Sequence, residues 1–125
     1  MGKTVLESRL FKQELAGGAI LDVGLYPVSF SRLVAGVALG KKFLNPQIVE
    51  AEAKIGETGV DEISYATLDF DGKIIAKVST AIRQNMSNNA LITGTKGSIE
   101  MNNPWQPGRE GGPYHSTISI IIDNK

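Results

Sequence analysis

Asp22, Tyr26 and Ser29 stand at i, i+4 and i+7, a spacing that puts all three on one face of a helix. These residue types suit proton transfer at a hydroxyl or carbonyl group. A tyrosine hydroxyl gives a proton to a substrate oxygen or takes one from it, and a nearby carboxylate orients that hydroxyl or holds a substrate hydroxyl. The same pair has a structural alternative, in which Asp22 caps the helix start and Tyr26 is a core aromatic with its hydroxyl satisfied. Spacing alone favours the structural alternative, because single Asp/Tyr pairs on helices are common.

The helix that must position these groups spans residues 19–35. Ile20, Leu21, Val23, Leu25, Val28, Phe30, Leu33 and Val34 lie on nearly all its sides, which predicts a buried helix. A narrow polar stripe on such a helix needs partners or lines a cavity. Pro27 removes one intrahelical hydrogen bond and should bend the helix, and Gly24 loosens the same turn. Gly36 and Gly40 punctuate the end. Upstream, residues 3–11 read as a short strand or extended arm. Residues 12–18 form a loop whose paired Gly17 and Gly18 permit close backbone approach.

Downstream the pattern changes to short alternating runs at 48–55, 62–70, 73–82, 88–94, 97–101 and 117–122. The second and third flank Asp71-Gly72, a strong hairpin signal. One long helix followed by consecutive antiparallel strands predicts an α+β fold: an open, mostly antiparallel sheet with the helix packed on one face. Along 62–70, Ile63, Tyr65 and Thr67 lie on one face, and Glu62, Ser64, Ala66, Leu68 and Phe70 on the other. If the helix covers one face, the apolar residues of the other suggest a partner surface.

Composition narrows the classes. The chain has 125 residues, which suits one compact domain over 1–125, and 42% are hydrophobic, enough for a core. Thirteen basic and thirteen acidic residues cancel, so no global field draws the chain to nucleic acid or an anionic membrane. The chain has no cysteine, which excludes disulfides, thiolate metal sites and cysteine nucleophiles. Its one histidine, His115, excludes a multi-histidine metal site, so no metal is expected. Apolar stretches fall short of the ~20 residues that span a bilayer. Met1-Gly2-Lys3-Thr4 lacks a signal-peptide hydrophobic region, and a cytoplasmic location is expected.

The string Glu14-Leu15-Ala16-Gly17-Gly18-Ala19-Ile20-Leu21-Asp22-Val23-Gly24-Leu25-Tyr26-Pro27-Val28 resembles the signature of the C-terminal domain of the glucose–fructose oxidoreductase/inositol dehydrogenase (Gfo/Idh/MocA) family. It is most similar to the dimeric dihydrodiol dehydrogenase-like branch. Gly59-Val60-Asp61-Glu62, Thr93-Gly94-Thr95-Lys96-Gly97-Ser98-Ile99 and Asn103-Pro104-Trp105-Gln106-Pro107-Gly108 agree in order and spacing, so the resemblance covers nearly the whole chain. It implies the open sheet with one helix, the free sheet face packing on a second subunit, and a nicotinamide-dependent oxidoreductase acting on a sugar, polyol or cyclic diol. It also implies that Asp22 and Tyr26 sit at the substrate as catalytic residues, with the tyrosine as acid.

Two departures qualify the likeness. Many members carry histidine where Tyr26 stands and an acid where Ser29 stands, which argues against the histidine-type polyol mechanism. No Gly-x-Gly-x-x-Gly follows a strand near the start, and no Glu-Lys-Pro string occurs, so the half that binds the dinucleotide and supplies the family's catalytic lysine is not in this sequence. The chain therefore reads as an excised or truncated C-terminal domain that holds no cofactor. NAD or NADP would belong to the full-length parent, and the chain alone is expected to be inactive.

Arg9, Lys12, Gly18 and Trp105 are further candidates for substrate binding. The cations precede the glycine pair, and Trp105 stands between Pro104 and Pro107. Solvated surface is the alternative for the cations, and packing on the sheet for the tryptophan. Gly108 to Gly112 lacks the strand-to-helix setting of a phosphate loop and reads as a surface loop, and His115 beside Tyr114 reads as a loop or strand-start residue. Two rival functions remain: a stand-alone interaction module that dimerises through its sheet, and a non-catalytic small-molecule binding domain.

Overall fold

A computed structural model describes residues 6–106 and 117–123. The expectations for Gly108–Gly112, Tyr114 and His115, and for residues 3–5 of the arm, lie outside the described residues. The chain divides into two compact units, one running to Met86 and the other starting at Ser87.

The first unit holds the helix and three strands. It opens on two 3-10 turns: Arg9–Phe11, where an extended arm was expected, and Gln13–Leu15, within the expected loop. The turns form because Ser8 caps the first with its side chain, and because Phe11, only 2% exposed, is pulled into the interior. The glycine pair does what its sequence suggested. The Gly18 N–H donates to the Leu10 carbonyl at 2.8 Å, and Gly17 lies so close to the Arg9 and Leu10 carbonyls that a side chain has no room.

The helix then begins with a π-helical turn, Ile20–Gly24, and continues as α1, Leu25–Ala38. Proline explains the irregularity. In regular α geometry the Pro27 ring would press on the carbonyl four residues back and leave it without a donor. A wider turn just upstream relieves that crowding, so the expected bend takes the form of a π-turn.

Strands β1 (Ile48–Ile55), β2 (Asp61–Phe70) and β3 (Ile74–Ala81) form an antiparallel sheet in that order. The β2–β3 hairpin turns at Asp71 (φ 62°) and Gly72 (φ 68°), the two left-handed positions of a type I′ turn. The Lys73 N–H closes it on the Phe70 carbonyl at 3.1 Å. Alternation decides the faces. Leu68 and Phe70 of β2, opposite Ala76 and Ile74 of β3, pack on Ala35, with Val28, Ala66 and Val78 around them. The π-turn rests at the other end of the same face, where Gly24 approaches Thr80. The helix thus runs the length of the hairpin.

One expectation fails here. The helix is not buried all round, since Leu21, Leu25, Leu33 and Val37 are exposed. A three-stranded sheet covers only one side of a helix, so apolar residues on the remaining sides mark surface that this unit does not cover. β1 is likewise exposed along its whole length. The helical run Gln13–Ala38 also meets the length and hydropathy of a membrane-crossing helix (26 residues, mean hydropathy 1.3), contrary to the sequence reading. It includes one 3-10 turn, Gln13–Leu15, and the π-turn, and packs on the sheet through Ala35.

The second unit is another antiparallel sheet, β4 (Ala90–Gly94), β5 (Gly97–Met101) and β6 (Ile118–Ile122), with β5 central. The α+β class holds, all paired strands are antiparallel, and they are shared between two three-stranded sheets.

Candidate functional site

Asp22 lies inside the π-turn and Tyr26 in the first turn of α1. The structural alternative for Tyr26 does not hold, since its residue surface is 51% exposed. Nor does Asp22 cap the helix. It is the third residue of the π-turn, and its carboxylate binds the Arg9 guanidinium at 2.9 Å. Arg9 is 63% exposed and Asp22 20%, so the pair adds little stability, and its consequence is orientation. A short ion pair holds the carboxylate beside the helix turn that carries Tyr26. Ser29 is exposed one turn further along.

The role expected of Asp22 as a cap is taken by a residue from the sheet. Asp61, at the start of β2, accepts the Ile20 N–H at 2.8 Å and the Ser64 hydroxyl at 2.7 Å, both on Oδ2. A second tie, from Gln13 Nε2 to the Gly59 carbonyl at 2.8 Å, fastens the preceding turn to the same β1–β2 loop. In the sequence Gly59-Val60-Asp61-Glu62 stands out only as a family stretch, with no local signal for this capping task. Behind it, buried Glu62 pairs with Arg83 at 3.1 Å.

The four further candidates separate. Arg9 stands at the site through Asp22. Gly18 is buried at φ 111°, with Asp61 Oδ1 where its side chain would be. Its carbonyl accepts the Asp22 N–H at 3.1 Å, so its part in the site is played through backbone. Lys12 joins the two 3-10 turns, and its carbonyl accepts the Leu15 and Gly17 amides. Trp105 is half-buried in the second unit.

The arrangement presents a solvent-accessible phenol and an arginine-tethered carboxylate on one irregular stretch of helix. That set can exchange a proton with a bound hydroxyl or carbonyl and hold a second hydroxyl. The described strands are all antiparallel, so among the described residues there is no βαβ unit of the kind that cradles a dinucleotide. Among them there is also no cluster of three or more His, Asp or Glu side chains fit to hold a metal.

Comparison with known proteins identifies the family. The family described as GFO/IDH/MocA C-terminal domain matches residues 4–100. The trans-1,2-dihydrobenzene-1,2-diol dehydrogenase of Xenopus tropicalis is 39% identical over 118 residues, 94% of this chain and 31% of that protein. The human protein of the same name is 34% identical over 108 residues, 85% of this chain and 30% of that protein. The zebrafish (Danio rerio) protein of that name is 36% identical over 93 residues, 74% of this chain and 26% of that protein. The chain thus spans 31% or less of the length of these relatives. A match over most of the chain, on the fold that the family's likeness implied, places this chain in the GFO/IDH/MocA oxidoreductase family as a C-terminal domain.

Proposed function

We propose that this domain is the substrate-side and subunit-contacting part of an NAD(P)-dependent dehydrogenase that acts on a cyclic diol. The observation that carries this reading is the exposed Tyr26 on the same helical stretch as an Asp22 held by Arg9. Tyr26 holds the proton at the reacting oxygen, as acid towards a carbonyl and as base towards a hydroxyl. Asp22 accepts a hydrogen bond from the neighbouring hydroxyl of a vicinal diol. A cyclic diol is the substrate class favoured over a sugar because the relatives are named for a dihydrobenzene diol. Hydride transfer belongs to the cofactor, which the antiparallel strands among the described residues do not fit, so its site is assigned to the rest of the full-length protein.

The direct test supplies the full-length protein carrying this domain with trans-1,2-dihydrobenzene-1,2-diol and either NAD or NADP in oxidised form. Reduced nicotinamide should accumulate with one of the two. No reduction with either, at protein concentrations stoichiometric with cofactor, ends the proposal.

The free face of the first sheet is proposed as the subunit contact. Glu50, Thr67 and Lys77 lie in register across it, next to Glu52 and the exposed Tyr65. Acidic groups on one edge strand and a lysine on the other make this face self-complementary about a two-fold axis. Light scattering of the chain should give a dimer, and Tyr65→Arg should shift it to monomer. A wild-type monomer at high concentration counts against this contact.

A further inference from the structure

We propose that Asp61 is a positioning residue for the Asp22/Tyr26 pair, acting as a latch between the sheet and the start of the helix. The inference rests on the catalytic reading of Tyr26 given above.

Helices are ordinarily capped by the residue just before them. Here the residue in that place is Ala19, whose methyl side chain accepts no hydrogen bond, and the π-turn receives no side-chain cap from its own loop. The acceptor comes instead from Asp61, 41 positions away in sequence from Ile20. One oxygen, Oδ2, takes both the Ile20 N–H and the Ser64 hydroxyl, so the carboxylate is itself held by β2 while it holds the helix. The other oxygen, Oδ1, fills the space beside Gly18, whose φ of 111° suits glycine alone. Gly18 in turn accepts the Asp22 N–H. Sheet, Asp61, Gly18 and Asp22 form one continuous chain of contacts.

The consequence follows from where the irregular turn lies. A π-turn is less regular than the α-helix after it, and it separates the capped Ile20 from Tyr26. With a local cap, the helix start would move with its loop. With Asp61, the start is fixed to the sheet, and Asp22 and Tyr26 keep one position relative to everything else the sheet carries. Misplacing a reacting group by an ångström costs rate more than binding.

The experiment uses the full-length protein and compares Tyr26→Phe, Asp61→Ala, Asp61→Asn and Asp61→Glu, with kcat and KM measured separately. Amide hydrogen exchange at Ile20 and Asp22 is read in parallel. Asp61→Ala should lower kcat by about 10- to 100-fold, change KM less, and speed exchange at Ile20 and Asp22. Asp61→Asn keeps an acceptor oxygen at the Oδ2 position and should restore most of kcat and of the protection. Asp61→Glu keeps the charge but displaces the acceptor by a methylene, and should lose kcat as Asp61→Ala does. It also carries the test should Asp61→Ala fail to fold. Asp61→Ala or Asp61→Glu with wild-type kcat, beside an inactive Tyr26→Phe, overturns the latch. So does an Asp61→Asn as slow as Asp61→Ala, since charge rather than position would then be responsible. Full turnover in Tyr26→Phe overturns the catalytic reading instead, and with it any positioning of Tyr26 by Asp61.

Discussion

Replacing Tyr26 with phenylalanine in the full-length protein should lower kcat/KM by about 10²- to 10⁴-fold, the usual contribution of a positioned proton donor. The substitution removes one oxygen and keeps the ring. Tyr26 is half exposed, so its hydroxyl is not holding a core together, and stability should change by about 0.5 kcal/mol or less. The loss should fall in kcat and kcat/KM together, because the proton is in motion only in the transition state. A variant with a raised KM and unchanged kcat would make Tyr26 a binding residue. Asp22→Asn should be milder, since the amide keeps an oxygen at the site but gives up the charge that Arg9 holds.

Phe70→Ala should destabilise the chain by about 3–5 kcal/mol, a large share of the roughly 5–15 kcal/mol that holds a typical domain together. Phe70 is 0% exposed, ends β2 opposite Ile74, and packs with Leu68 beneath Ala35 of the helix. A cavity there cannot close by local collapse, because the type I′ turn on one side and the close-packed Ala35–Gly36 stretch on the other both resist it. Gly36 already lies against the backbone of Phe43, so the end of the helix has no room to settle further. Urea unfolding of the chain, followed by circular dichroism, measures the loss. Leu21→Ala on the exposed side of the helix serves as the contrast and should cost about 0.5 kcal/mol or less. A Phe70→Ala penalty as small as that of Leu21→Ala would mean that the helix does not rest on this face.

Much of the candidate site's local structure was legible because its signals are local. Asp22, Tyr26 and Pro27 lie within six positions, and a helical spacing brings the first two to neighbouring turns whatever the rest of the fold does. The Asp71-Gly72 hairpin was legible for the same reason, since two left-handed residues in a row leave the chain one tight turn to make. Pro27 announced a disturbance in the helix, and the structure gives it the form of a π-turn just upstream, Ile20–Gly24.

The burial of the helix was misjudged for a reason that is also physical. Hydropathy records how much a side chain would gain by leaving water and carries no information on whether a neighbour exists to receive it. Leu21, Leu25, Leu33 and Val37 have that tendency and no cover within this unit. The partners of Asp22 were out of reach for a related reason. Arg9 is thirteen residues from Asp22 and Asp61 is 41 from Ile20, and no periodicity links such positions. Residue types and short spacings were enough to identify the helical element and the two candidate groups on it. Which carboxylate caps the helix was decided by the folded chain, because an acceptor serves the helix start only where the sheet delivers it, and β2 delivers Asp61 while Asp22 turns to Arg9.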